Sequence, residues 1–208
     1  MCAAPAVGRE HVPPRCFFPK AKDLGAGQDL RKELQTVPSC ELHNSTKSKD
    51  DEYFLNVVTS LEAINEVGRN HYCNQIRRQN QRNPSIIARF AARAVRVDEK
   101  FGHEIETQRM DSFIIHFACA LYFLHFSKKW EGDISFIPEF AARPSNSQEE
   151  SERLQAIKEI DHMFRDVVFF GENPSVFKYQ VVTLRSSIQM RIHFYEGCKI
   201  FLDFVNEA

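Results

Sequence analysis

From Asp50 onward the chain settles into a helical rhythm: Phe54, Val57, Val58, Leu61, Ile64 and Val67 recur at steps of three and four, which puts them on one helix face. Asp50, Asp51 and Glu52 stand where the positive end of a helix dipole favours carboxylates, so the spacing predicts a first helix from about residue 50 to 81. Asn83-Pro84-Ser85 then interrupts. Asn can cap a new helix and Pro fits its first turn, where no backbone donor is needed. Ile86, Ile87, Phe90, Ala94 and Val97 continue the period, and a second helix is expected to reach about residue 106.

Phe113 to Phe126 is apolar nearly all round and is followed by Lys128 and Lys129, as expected of a helix at the centre of a bundle. Its 14 residues include His116 and His125, and a bilayer span needs about 20, so it predicts a core helix rather than a membrane span. Ser147 and Glu150 have capping-box spacing ahead of Leu154, Ile157, Ile160, Phe164 and Val167, which predicts a fourth helix ending near Gly171.

The last segment carries two periods at once. Phe177, Val181, Leu184, Ile188, Ile192, Tyr195, Leu202 and Val205 fit a helical stripe, whereas Ile188, Met190, Ile192 and Phe194 alternate strictly. Helix is the preferred reading, with a meander turning near Arg185-Ser186 and Glu196-Gly197 as the alternative. Residues 1–49 hold five prolines and the polar run HNSTKSK without a lasting apolar period, and are expected to be a disordered tail before a domain over 50–208. Val12 to Phe18 (VPPRCFF) is the one apolar cluster there, a loosely packed patch or a short docking segment. The fold class predicted is all-α, a bundle of about five helices around a central apolar helix; the alternative is α+β with a C-terminal β-meander from about 176 to 205.

Composition supports a packed core: 43% of residues are hydrophobic and 18 are Phe, enough to offset the chain entropy lost on folding. Six scattered cysteines without a C-x-x-C pair predict free thiols. With a start that lacks a basic and then apolar leader pattern, they point to an intracellular protein, cytoplasmic or nuclear.

Charge changes the picture more than composition does. From Arg69 to Val97 the chain has seven arginines and no acidic residue. Arg89, Arg93 and Arg96 are spaced to share a helix face, and Arg77, Arg78 and Arg82 precede the turn that introduces it. Guanidinium forks suit carboxylates, so these six residues are the candidate site for an acidic protein segment, unless they pair internally with the acidic fourth helix, Glu149, Glu150, Glu152, Glu159 and Asp161. A net charge of −1 and the lack of a zinc-finger or RNP-type motif argue against nucleic acid.

Other chemistry is sparse. Glu159 and His162 have the spacing of a carboxylate-bridged metal site, but one copy does not complete such a site, so no metal or cofactor is expected. No nucleophile elbow, P-loop or dinucleotide fingerprint occurs, and an enzyme is not expected. Arg191-Ile192-His193-Phe194, and more loosely Arg165 to Phe169, resemble the basic-x-Val/Ile-x-Phe motif by which regulatory subunits dock a protein phosphatase; the resemblance implies contacts through Arg191, Ile192 and Phe194. The function expected is therefore a non-enzymatic interaction or adaptor module for an acidic partner. Alternatives are a phosphatase regulatory subunit and a metal-binding helical enzyme.

Overall fold

The computed structural model describes residues 4–41, 48–82, 85, 88, 92–97, 100–141 and 146–205. The fold is α+β, not all-α, because the C-terminal segment is a sheet. Strands β6 (Phe177–Thr183), β7 (Ser187–Phe194) and β8 (Cys198–Val205) form an antiparallel meander. Strand β5 (Asp133–Pro138) pairs with β8, giving the order β5-β8-β7-β6. The alternation of Ile188, Met190, Ile192 and Phe194 prevails over the helical stripe because a long apolar helix is waiting to cover the face it creates.

That helix is α4 (Thr107–Phe126), which begins six residues before the apolar run. Phe117 meets Phe177 and Phe194 across the sheet, with ring centroids 5.4 Å apart in both pairs, and Tyr122 meets Phe204 at 5.2 Å. On its other side α4 carries α1 (Ser48–Thr59), where Phe54 and Phe113 stack at 4.1 Å. The helix is apolar all round because it lies between a sheet and a helix, rather than within a bundle.

The predicted first helix is broken. Thr59 and Ser60 turn their hydroxyls back to the carbonyls of Leu55 and Val57, at 2.8 and 2.7 Å, and α1 ends there. Asn65 caps a new helix, α2 (Glu66–His71), by accepting from the Gly68 amide at 3.1 Å. A wide turn over Tyr72–Ile76 leads into α3 (Arg77–Arg82). The second predicted helix fails in its latter half, where β3 (Ala94–Val97) and β4 (Lys100–His103) pair as a hairpin. Asn83, Pro84, Ile86, Ile87 and Phe90 lie outside the described residues.

Strands β5 and β6 are opposite edges of the sheet, and α5 (Ser147–Met163) crosses between them on the face away from α4. Ile160 and Phe164 pack there on Phe201, Ile137 and Val182. The cap is Asn146, whose side chain accepts from the Glu149 amide at 2.9 Å, one residue ahead of the predicted Ser147.

The expected disordered tail is also corrected. Strands β1 (Gly8–His11) and β2 (Thr36–Ser39) pair, and Val12, Phe17, Phe18 and Val37 between and within them are buried in the main core. Phe17 lies against Phe54, Phe113 and Phe194, with centroids at 6.1, 5.9 and 4.9 Å. The prolines that break helical periodicity here shape a folded strap, whose apolar residues are too few and too local to show a period.

Candidate functional site

The six predicted partner-binding arginines do not form one face. Arg77 and Arg82 are exposed on α3. Arg78, on the same helix with its side chain half exposed, holds the nearly buried Asp23 carboxylate at 2.6 Å. Arg93 and Arg96 do not continue a helix: Arg93 precedes β3, with Nε 3.7 Å from Glu106, and Arg96 lies within β3. Arg89 lies outside the described residues. None of these contacts involves the acidic fourth helix.

The phosphatase-type motif has its three contact residues inside the sheet. Arg191, Ile192 and Phe194 are buried on β7, an inner strand flanked by β6 and β8, so no free edge presents them. Arg191 is committed within the chain: its guanidinium donates to both Glu139 carboxylate oxygens, at 2.8 and 2.6 Å, and lies 2.6 Å from Asp161. The looser copy differs. Val167 is half-buried and its carbonyl accepts from Gln180 at 2.7 Å, while Val168 and Phe169 are 72% and 45% exposed. Glu159 and His162 are exposed on α5, and among the described residues no three His, Cys, Asp or Glu side chains gather as a metal site would require.

A cleft that the sequence did not reveal lies beside the β6 edge. Its volume is about 230 Å³, and its walls come from three places: the strap (Val12, Pro13, Phe18 and Glu33 to Gln35), α4 (Leu124), and the α5–β6 loop with β6 (Phe170 to Asn173, Phe177, Tyr179). Phe170 extends the sheet by one residue, exchanging backbone hydrogen bonds with Tyr179 at 2.8 and 3.0 Å. Gly171 then turns with φ +125°, and a Cβ there would stand 2.8 Å from the Phe177 carbonyl oxygen. Glycine is thus required to bring the loop back over β6.

The cleft floor is uncharged. The Phe170 and Tyr179 rings stack at 5.5 Å, and His125 meets both edge-on, its Nδ1 3.2 Å from the Tyr179 hydroxyl. Burial lowers the His125 pKa and raises that of Tyr179, so both are neutral near pH 7. The rim differs: Glu33, in the left-handed conformation at φ +54°, and Glu172 are exposed carboxylates, and no basic residue lines the cleft among the described residues. The sequence signals were weak: an apolar VPPRCFF cluster, and a glycine taken as a helix end.

The fold and cleft define an α+β chain with a carboxylate-rimmed aromatic cleft. No family model, curated protein or solved structure matches the chain. Among the described residues no helix is long and apolar enough to cross a membrane.

Proposed function

We propose that this chain is a non-enzymatic interaction module that grips an acidic segment of a partner protein through α3. The observation that carries the reading is the helix Arg77–Arg82, RRQNQR, which contains three arginines and no acid, with Arg77 and Arg82 exposed. Arg78 and Arg82, four residues apart, share a face, and the Arg78–Asp23 pair is an example within the chain of the contact a partner carboxylate would make. The surface proposed is the three arginines of α3 rather than all six, since Arg93 and Arg96 belong to a different element and Arg89 lies outside the described residues.

The test is a pull-down from cell extract comparing the native chain with Arg77→Glu/Arg82→Glu, after circular dichroism confirms that both are folded. Arg78 is left in place because its loss would strand Asp23. Selective loss of a bound protein carrying an acidic segment is expected; an unchanged set of bound proteins overturns the proposal.

A further inference from the structure

We propose that the cleft beside β6 is a second docking site, independent of α3, that receives a basic side chain, arginine or lysine, from an extended partner segment whose neighbouring residues are apolar. Three features of the cleft select this occupant.

The first is charge. Among the described residues Glu33 and Glu172 are the only charged ones lining the cleft, one contributed by the strap and one by the α5–β6 loop. A cation entering between them gains two carboxylates, whereas an anion meets two like charges with no compensating donor side chain of positive charge.

The second is the floor. Phe170 and Tyr179 offer stacked aromatic surface, with Phe177 and Phe18 beneath, which suits the alkyl stem of a basic side chain and the face of a guanidinium. The chain uses this chemistry on the opposite face of β6, where Lys178 Nζ lies 4.7 Å above the Phe169 ring. The volume of about 230 Å³ falls below the roughly 300–1,000 Å³ of drug-sized ligand sites and is on the scale of a single long side chain.

The third feature points to a polypeptide rather than a free small cation. Val168 and Phe170, two residues apart on the segment that runs into the cleft, are 72% and 42% exposed, whereas Phe169 turns to the other face of the sheet, edge-on to His193 at 5.2 Å. Val168 and Phe170 give a bound segment exposed apolar surface at the mouth of the cleft, which its flanking apolar residues would cover.

The experiment titrates the full chain with a terminally blocked peptide carrying one arginine between leucines, followed by calorimetry and by amide chemical shifts. The control peptide has citrulline in place of arginine, which keeps the shape and removes the charge. The arginine peptide should bind and shift the amides of Leu124, Gly171 and Tyr179, with the citrulline peptide about tenfold weaker or more. Glu33→Gln/Glu172→Gln, at two exposed positions, should weaken the arginine peptide by a similar factor, and added salt should weaken it further. Equal binding of both peptides, an unchanged affinity in the double Gln variant, or no binding at all overturns the proposal. Arg77→Glu/Arg82→Glu should leave the titration unchanged, so the two proposed sites stand or fall separately.

Discussion

Arg191 and Glu139 are an ion pair almost closed to water, with side chains 5% and 8% exposed, while the third member, Asp161, is 53% exposed. Two charges taken out of water tolerate each other only while both remain, so their contributions to stability should differ sharply from that of Asp161. Glu139→Ala leaves a buried guanidinium with one solvent-facing partner and should lower the unfolding free energy by about 3 kcal/mol. Asp161→Ala removes a screened contact and should cost under about 1 kcal/mol. Urea denaturation of the two variants checks the ratio; equal costs would show that the pair is not insulated from solvent. The same burial explains why a short motif match at Arg191 misleads: residue types specify a docking pattern, but only the strand's position within the sheet decides whether that pattern is presented.

At the scale of elements, the strap is the most informative. Phe17 is fully buried between α1, α4 and β7, so Phe17→Ala should cost about 3–5 kcal/mol, the usual range for a buried phenylalanine. A denaturant midpoint unchanged from the native chain would mean that the strap does not complete the core. Helix α4 was legible in the sequence because Phe113, Phe117 and Leu121 leave no polar face, and α5 because Ile160 and Phe164 keep a clear period beside charged neighbours. The meander was legible only as an alternative: Ile188 and Ile192 belong to both periods, and the choice belongs to long-range pairing with β6 and β8. The strap and the cleft were not legible, since Phe18, Leu124 and Phe170 come together only through the tertiary fold. Arg96 was misassigned for a related reason: Val95 and Val97 beside it favour a strand, a local preference that the wider arginine spacing concealed.

Across the whole molecule, one buried hydrogen-bond chain joins strap, α2 and meander. The Tyr195 hydroxyl donates to the Phe17 carbonyl, so His71, 2.8 Å away, must donate to it through Nδ1. The buried His71 Nε2 has no hydrogen-bond partner among the described residues. Burial, followed by the nearby Arg31 charge, lowers the His71 pKa to about 4; burial, followed by Arg191, Lys199 and Lys178, lowers that of His193 to about 3. Because the fold holds both imidazoles neutral, their contribution is complete above the unfolded value of about 6.5 and is lost as pH falls through the folded values. The melting temperature should therefore drop between pH 6.5 and about 4, with a loss on the order of a few kcal/mol in unfolding free energy. In His71→Gln the slope over that window should be shallower, whatever the variant's absolute stability; an unchanged slope would exclude His71 as a source.

The contact between Phe17 and Tyr195 also sets a timetable. The two residues are 178 positions apart, and at about 5–20 residues per second a ribosome takes roughly 10–40 seconds to add the second after the first. From the addition of Phe113 until Phe194 follows, the aromatic cluster of Phe17, Phe54 and Phe113 lacks the sheet it packs against. The nascent chain thus carries an open apolar surface through the later part of its synthesis, and holding chaperones that bind such surfaces have access to it before the last strands emerge.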